Sequence, residues 1–294
     1  MSRPLSAWRA VWRHHARSVL ELTRWIDMPT TIVLWAGPSA LDGTPIMLVG
    51  SRIADPSANR KTGDMLQMSI MRQDLAPIDA WRIGADGAVC PDACGHRSKA
   101  RGGRGTCYVN KARLTAAWAA AVRELTRGRV GFPPFLFARA RVRMGMEGDP
   151  AAVPLEVIAP VLTAAGAWSM YTAAWRTLPD AWKRYAMASC DTPADAAEAI
   201  ARGWRPFASS TSPDMDTAYE AAGLTLCDAE RPTPKTCAAC LRCNGAGRHP
   251  SSPTPRTTAR PGAYLPIHGA IGSTYRKKAD PRAAADLLAL PAAP

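Results

Sequence analysis

The sequence predicts an α/β protein built around a partial (β/α) barrel, with a cysteine-rich extension near the C-terminus. Strand and helix signals alternate from residue 111 to residue 208 in units short enough for parallel strands joined by right-handed crossovers. The chain has 294 residues, of which 47% are hydrophobic, so it can bury a core without disulfide support. These observations exclude a small disulfide-stapled scaffold.

The first part of the chain predicts a helical arm followed by three short strands. Residues 2–27 place tryptophan, valine and leucine among five arginines in a broadly helical pattern that ends before Pro29. This arm is either a basic amphipathic surface helix or a helix packed on the body. The strands are expected at Thr31–Trp35, Pro45–Val49 and Leu66–Met71, separated by glycine, proline and aspartate turns.

Alternating elements follow from residue 111. Lys111–Arg127 carries apolar residues at helical spacing and ends before a glycine, and Thr192 followed by Pro193 marks the start of another helix. The expected elements, in order, are helix Lys111–Arg127, strand Ala138–Met146, helix Pro154–Ala165, strand Trp168–Ala173, strand Tyr185–Ser189, helix 192–202 and strand Trp204–Ala208. Residues 211–218 and 244–262 are interpreted as loops, and 282–290 as a short helix within a tail.

Four regions are therefore predicted along the chain. They are a basic helical arm (1–30), an α/β core (31–226), a cysteine-rich loop and linker (227–262), and a strand with a flexible tail (263–294). No run of about 18 uncharged apolar residues occurs, which argues against a membrane span or a secretory signal. We therefore expect a cytoplasmic protein without membrane association, in which cysteines bind metal or fill the core rather than form disulfides.

Positive charge is concentrated around the cysteines. The net charge is +13; residues 95–143 hold twelve Lys/Arg and one acidic residue, and residues 231–282 hold ten Lys/Arg and one acidic residue. This distribution favours a polyanionic partner, either nucleic acid or a phosphorylated small molecule. Rich use of arginine, alanine and proline is equally typical of a GC-rich genome. The sequence indicates nothing about protein partners.

The strongest chemical signal is a group of four cysteines within 17 residues, Cys227, Cys237, Cys240 and Cys243. Four soft thiolates in one loop favour a metal site. The C-x2-C-x2-C run is typical of a [4Fe–4S] site in bacterial ferredoxins, whereas structural zinc more often uses two separated C-x2-C pairs. An iron–sulfur cluster is therefore the first hypothesis and zinc the alternative, and either could be purely structural.

A second group comprises Cys90, Cys94 and Cys107, with His96 between them. Three thiolates can hold a [4Fe–4S] cluster while one iron stays open to a small molecule bound through amine and carboxylate groups. The alternative is a closed zinc site in which His96 supplies the fourth ligand. The spacing leaves both possibilities open, and with the later group it allows two clusters.

Several motifs together resemble an uncharacterised family of phage and prophage proteins. They are Asn59–Met65, the Cys90/Cys94/His96 group, Thr106–Val109 and Gly148–Pro154, and the resemblance covers roughly residues 33–270. The family brings no established activity. More distantly, the sequence is similar to radical S-adenosylmethionine (SAM) proteins, including a phage family in which a tyrosine likewise follows the third cluster cysteine.

The radical SAM resemblance implies a partial barrel of that type, with the catalytic cluster in a three-cysteine loop after the first strand. It also implies a cofactor-binding turn at the end of the second strand. Gly148-Asp149-Pro150 lies 41 residues after Cys107, at the end of a predicted strand, where the Asp149 carboxylate could bind the SAM ammonium group. The alternative is an ordinary turn with Asp149 as a helix cap.

The sequence departs from the usual C-x3-C-x2-C motif in two ways. Twelve residues separate Cys94 from Cys107, and the aromatic residue, Tyr108, follows the last cysteine instead of preceding it. Tyr108 is a candidate catalytic residue beside the cluster. Cys190 is another, since it lies at a predicted strand end, where barrel enzymes place active-site groups, although a single cysteine is often a small core residue.

Three classes of function follow. The first is a radical-SAM-like iron–sulfur enzyme acting on a nucleotide or nucleic acid, with the later cysteines holding an auxiliary cluster. The second is a zinc- or cluster-stabilised nucleic-acid-binding protein without catalysis, in which basic residues contact phosphates. The third is a structural or host-interaction protein whose metals only hold loops.

Overall fold

The computed structural model describes residues 30–51, 61–131, 137–138, 140–246 and 262–266. The predicted N-terminal arm (2–27) and the predicted short helix near the C-terminus (282–290) lie outside these ranges. Among the described residues, no helix combines the length and apolar character needed to cross a bilayer.

A nine-stranded mixed sheet forms the centre of the molecule, and it confirms the predicted α/β class. The strands are β1 (Thr31–Pro38), β2 (Pro45–Ser51), β3 (Leu66–Arg72), β4 (Arg141–Glu147), β5 (Ala167–Thr172), β6 (Met187–Cys190), β7 (Pro206–Ser210), β8 (Thr225–Leu226) and β9 (Ala263–Pro266). Their order is β1-β2-β3-β4-β5-β6-β7-β9-β8, so the sheet is open, with β1 and β8 at its edges. The β1–β2 and β2–β3 pairs are antiparallel, and every later pair is parallel.

Six α-helices lie within the described residues: α1 (Pro77–Arg82), α2 (Thr115–Thr126), α3 (Leu155–Ala164), α4 (Pro193–Ala201), α5 (Pro213–Ala221) and the single turn α6 (Cys237–Cys240). Helices α2, α3 and α4 occupy the successive connections from β3 to β7, apart from the β5–β6 connection, which holds only a 3₁₀ helix at Asp180–Arg184. The predicted alternation of strands and helices after residue 111 is confirmed, with boundaries shifted by a few residues.

One expectation was wrong: residues 211–218 are not a loop, since most of them lie in α5. The Ser212 side chain accepts a hydrogen bond from the Met215 backbone N–H, and Pro213 occupies the first helical turn. This is the same cap-and-proline signal that correctly predicted α4 at Thr192 and Pro193. The polar composition of α5 hid its amphipathic character, because only Met215 and Tyr219 are buried.

One face of the sheet is apolar and packs against α3, α4 and α5. Side chains that alternate along β3 to β7 belong to this core, including Met68, Met144, Met170 and Ala188, each no more than 1% exposed. The helices contribute residues such as Ile158, Ala199 and Tyr219. This face therefore holds most of the buried apolar surface that stabilises the fold.

The opposite face differs between the two halves of the sheet. Over β1 to β3, α2 covers it through a small apolar cluster that includes Val49, Met71 and Ala121. From β4 to β7, the side chains that alternate with the core residues are mostly polar or aromatic, and most are only half-buried. We call this surface the polar face; its members are Arg143, Ser169, Tyr171, Ser189, Phe207 and Ser209.

Candidate metal centres

The early cysteine group (Cys90, Cys94 and Cys107) lies in the connection from β3 to α2, beside the carboxyl ends of the parallel strands. The Asp149 backbone N–H, just after β4, donates to the Val89 carbonyl at 2.7 Å. Asp191, just after β6, binds two side chains of the cysteine loop. In α/β sheets, the carboxyl ends of the strands carry binding and catalytic groups, so the early group is well placed for chemistry.

The twelve residues between Cys94 and Cys107 fold back on themselves. The Cys107 N–H donates to the His96 carbonyl at 3.1 Å, the Arg104 N–H to Gly95 at 3.0 Å, and the Gly105 N–H to Arg97 at 2.9 Å. Residues 97–106 therefore form a closed excursion: the chain turns away after His96 and returns beside His96 at Cys107. The Cys107 backbone is therefore hydrogen-bonded to the residue two positions after Cys94.

Arginines within the early loop are used internally. Arg101 donates to the Cys90 carbonyl at 3.0 Å and to Asp92 at 2.5 Å, while Arg97 donates to the carbonyls of Asp92 and Cys94. Gly103 is needed where the loop crosses itself, because a Cβ there would collide with the Arg97 backbone. These guanidinium groups therefore hold the loop in shape and are not displayed to a phosphate.

A buried ion pair borders Cys107. The Lys111 ammonium group lies 3.1 Å from the Cys107 sulfur and 3.1 Å from Glu147 Oε2, and both charged side chains are 4% exposed. Burial alone would lower the pKa of Lys111, but the charges of Glu147 and of the neighbouring thiols outweigh this effect and raise the pKa. Lys111 thus keeps its proton and places a positive charge beside a sulfur atom.

His96 and Asp191 tie the cysteine loop to the end of β6. The His96 Nε2 lies 3.0 Å from Asp191 Oδ1, its Nδ1 lies 2.9 Å from Thr106 Oγ1, and Arg104 binds the other oxygen of Asp191. Burial raises the pKa of Asp191, but His96 and Arg104 more than offset this, so the pKa is lowered. With both ring nitrogens hydrogen-bonded, a zinc site containing His96 would require one of these bonds to break.

The Gly148-Asp149-Pro150 turn lies after β4, as expected. Asp149 accepts hydrogen bonds from the Ala151 and Ala173 backbone N–H groups and from the Thr172 hydroxyl, at 2.7–2.9 Å. The carboxylate therefore caps the short 3₁₀ helix at Pro150–Ala152 and ties β4 to β5. These contacts match the alternative of a structural cap, and they leave little of the carboxylate for a cofactor ammonium group.

The early thiols lie close enough to influence one another electrostatically. Burial is the main cause that raises the pKa of Cys90 well above its usual range, and the charges of Glu147, Cys94 and Cys107 act in the same direction. Burial also raises the pKa of Cys94 to about 12. Neighbouring thiolates repel one another, and a soft cation bound between them would relieve this repulsion.

The late cysteine group (Cys227, Cys237, Cys240 and Cys243) is anchored mainly through the backbone. The N–H groups of Cys237 and Ala238 donate to Lys61 and Thr62, just before β3, and the Cys243 carbonyl accepts from Met170 in β5. The Arg205 side chain, just before β7, donates to the carbonyls of Arg242 and Gly245. The late loop thus contacts residues just before β3 and β7 and the interior of β5.

The late thiols also lie close enough to raise one another's pKa. Burial raises the pKa of Cys243 to about 12, and the charges of Cys237, Cys227 and Cys240 add to this effect, while a hydrogen bond from Tyr171 opposes it. The Cys240 thiol donates to Asp228 at 3.3 Å. Across the described residues, however, no three His, Cys, Asp or Glu side chains are arranged around a point where they would hold a metal ion.

Tyr108 and Arg143 lie between the two groups. Arg143 projects from β4 on the polar face and donates to the Tyr108 hydroxyl at 2.8 Å. The pKa of Arg143 is raised mainly by its proximity to Tyr108, and Tyr171 and Cys237 act in the same direction, so Arg143 lies near residues of both cysteine groups. Tyr108 itself is 60% exposed, which places an aromatic ring at an open surface beside Cys107.

Cys190 does not join this site. Its side chain is 1% exposed and belongs to the apolar core on the helix-covered face, where its thiol lies 3.5 Å from the Ala188 carbonyl. The structure therefore separates Cys190 from the residues that it had been grouped with as a catalytic candidate. A small apolar core residue accounts for these contacts.

Three residues of the site were missed from the sequence: Lys111, Glu147 and Arg143. Lys111 was interpreted only as the start of a helix, although it follows Cys107 by four positions. Arg143 lies in the predicted strand Ala138–Met146, where charged residues at alternate positions signal a polar face, and Glu147 directly follows that strand. No signal in the sequence pairs Asp191 with His96, since 95 positions separate them.

Comparison with protein-family models, with curated proteins and with solved structures found no match.

Proposed function

We propose that this protein is an iron–sulfur enzyme similar to radical SAM proteins, of the phage type that its motifs resemble, and that it acts in the cytoplasm on a nucleotide or nucleic acid. The observation that carries the proposal is the closed excursion at residues 97–106. Because the Cys107 N–H is bound to the His96 carbonyl, the chain re-enters beside a residue two positions after Cys94, and this supports a counterpart of the C-x3-C-x2-C loop despite the twelve-residue gap.

The early group would hold a [4Fe–4S] cluster through Cys90, Cys94 and Cys107. When bound, such a cluster supplies electrons one at a time and leaves one iron open for SAM. The residues of the chain have separate tasks. Lys111 donates a hydrogen bond to the Cys107 sulfur and balances the negative charge of thiolates, and the His96–Asp191 contact holds the loop against β6.

Strand order supports a barrel of the radical SAM type. From β3 to β7, the parallel strands lie in the order in which they occur along the chain. Crossovers of one hand then lead around the sheet in a single direction, as in β/α barrels, instead of reversing at a switch point as in doubly wound sheets. The early cysteines follow β3, the first strand of this parallel series, and Gly148 follows the second.

The late group would hold an auxiliary cluster through Cys227, Cys237, Cys240 and Cys243. Its loop joins the beginnings of β3, β6 and β7 by hydrogen bonds to Lys61, Lys183 and Arg205, so a cluster there would also stabilise the sheet. The Tyr171 hydroxyl and Asp228 contact two of the thiols.

Iron and acid-labile sulfide should be measured first, on anaerobically purified protein, together with the visible spectrum. The proposal predicts iron and sulfide in equal amounts, with a broad absorption near about 400 nm. Cys107→Ala and Cys237→Ser should each lose part of the iron, and the double variant should lose nearly all. A colourless protein containing stoichiometric zinc would overturn the proposal.

Cofactor binding provides the second test. Cys107→Ala should abolish SAM binding, measured by isothermal titration calorimetry, while the iron of the late group remains. Cys237→Ser is the matched control, because it removes a thiol of the late group and should leave SAM binding in place. Undiminished SAM binding in Cys107→Ala would contradict the role of the early group.

A second candidate function is a metal-stabilised nucleic-acid-binding protein without catalysis. It is favoured by Arg143, a cation on the half-buried polar face that has no carboxylate partner among the described residues. The arginines of the early loop do not favour it, because Arg97 and Arg101 are bound within the loop. Zinc content combined with salt-dependent binding of single-stranded DNA would select this function.

A further inference from the structure

The polar face carries a feature that the cysteine groups do not explain. We propose that Arg143 binds the phosphate of a nucleoside phosphate, and that the exposed ring of Tyr108 stacks on its base. This inference rests on the proposed function for its place in an enzyme, since it names the class of substrate that the site would take. The binding itself can be tested without any activity.

Arg143 stands apart from its neighbour on the same strand. Arg141 is exposed and pairs with Asp64 at 2.9 Å. Arg143 points to the same side two residues later, is half-buried, and has no carboxylate within salt-bridge distance among the described residues. A guanidinium group removed from water is stabilised by an anion, and its planar fork fits phosphate oxygens.

The surroundings of Arg143 suit a polar ligand. In the sheet register, Gln67 of β3 and Ser169 of β5 flank Arg143 directly. Its one hydrogen bond to another side chain among the described residues goes to the Tyr108 hydroxyl, which leaves further N–H groups for a ligand. Phosphate oxygens can therefore bind without displacing a salt bridge.

Aromatic rings border the same surface. Tyr108 is 60% exposed, yet its hydroxyl is held by Arg143, so the ring is both accessible and fixed in position. Tyr171 of β5 and Phe207 of β7 lie on either side of β6 on the polar face, and the centroids of their rings are 4.4 Å apart. A fixed aromatic ring next to a cation is the combination that binds a base and its phosphate together.

The competing occupant of Arg143 is the late cysteine group. Cys237 lies near enough for its charge to act on Arg143, so metal-bound thiolates could use the guanidinium group as a counter-ion. In that case Arg143 would be neutralised in the metal-loaded protein and would bind no phosphate there. The experiment must therefore use metal-loaded protein, with metal-free protein as a second arm.

The test compares Arg143→Gln with Arg141→Gln, a matched loss of one positive charge on the same strand. Binding of the four nucleoside monophosphates, of their nucleosides and of inorganic phosphate is measured by isothermal titration calorimetry. We expect Arg143→Gln to weaken binding of the preferred monophosphate about tenfold or more, and Arg141→Gln to leave it nearly unchanged. Monophosphate should bind more tightly than either the nucleoside or inorganic phosphate.

Two variants of Tyr108 separate the ring from the hydroxyl. Tyr108→Phe keeps the ring and should bind the base nearly as well, whereas Tyr108→Ala should lose the advantage of monophosphate over inorganic phosphate. Equal binding in wild type and Arg143→Gln, or binding found only in metal-free protein, would overturn the proposal. A failure of the proposed function would appear separately, as absent iron in a protein that still binds the monophosphate through Arg143.

Discussion

The two cysteine groups are anchored in different ways. The early group is bordered by two charged contacts, Lys111 with Glu147 and His96 with Asp191; Glu147 and Asp191 reach it from the ends of β4 and β6. The late group also has charged neighbours, since Asp228 pairs with Arg231 and Arg242, but these side chains are 16–47% exposed, and backbone hydrogen bonds tie its loop to the sheet. A fully buried ion pair, Lys111 with Glu147, therefore distinguishes the first group from the second.

This difference indicates different roles. Burying a charged pair seldom adds to stability when compared with apolar packing, so its presence beside Cys107 calls for a reason other than folding. A loop fixed by backbone hydrogen bonds has no such requirement and suits a structural or auxiliary site. Four sets of variants test this difference.

The largest effect is expected from Lys111→Met, which leaves Glu147 buried without its partner. We predict a loss of about 3–5 kcal/mol in the free energy of unfolding, measured by urea denaturation of metal-free protein. The double variant Lys111→Met/Glu147→Met should recover most of this loss, because the buried charge is then gone. If the double variant were as unstable as the single one, the unpaired charge of Glu147 would not be the cause of the lost stability.

The next effect concerns the geometry of the late loop. Gly245 has a φ of 62°, and an added Cβ would lie 2.7 Å from the Lys183 carbonyl oxygen and 2.8 Å from the Ala186 nitrogen. Gly245→Ala should therefore cost about 2–3 kcal/mol and reduce the iron held by the late group. Gly203→Ala is the control, since its φ is also positive, at 75°, but the added Cβ would lie 3.9 Å from its nearest neighbour, Lys183 Nζ. Equal losses in both variants would mean that the positive φ, and not the close contact with Lys183 and Ala186, causes the loss.

A smaller, pH-dependent effect is expected at Asp191. The contacts with His96 and Arg104 lower its pKa in the folded protein, so their stabilisation is complete above the pKa of the unfolded chain and is lost as pH falls through the folded value. Asp191→Asn should cost about 1–2 kcal/mol at neutral pH. The difference between wild type and variant should shrink below about pH 4, as followed by denaturation across that range. A constant difference would contradict the ion-pair assignment.

The smallest effect is expected from Thr236→Ala at the start of α6. The Thr236 side chain accepts from the Ala239 N–H, and its removal should cost about 0.5–1 kcal/mol. Iron in the early group should be unchanged, because this cap belongs to the late loop alone. Loss of SAM binding in this variant would indicate that the two groups are coupled through the polar face.

Local signals in the sequence were sufficient for much of the fold. Thr192 with Pro193 marked α4, and apolar spacing from Leu114 to Leu125 marked α2. The same kind of signal at Ser212 and Pro213 was overlooked because α5 has only two buried residues. Short-range patterns thus predict elements well when the apolar stripe is wide.

The site was less predictable because its contacts are long-range. Cysteine spacing drew attention to both groups, but the closure of residues 97–106 depends on hydrogen bonds that spacing does not reveal. The pairing of His96 with Asp191 depends on the arrangement of β3 and β6 in the sheet. Asp149 shows the converse: its position after β4 was predicted, while its hydrogen-bonded partners assign it to a cap.

The closed excursion has a consequence for how relatives of this protein can be found. The backbone hydrogen bond between Cys107 and His96 fixes both ends of residues 97–106. Insertions and deletions within that stretch would therefore leave the three thiols in place. A search pattern with a fixed number of residues between the second and third cysteines would then pass over such relatives. A pattern that fixes Cys90, Cys94 and His96, leaves the next interval open and then requires cysteine followed by tyrosine would retrieve them.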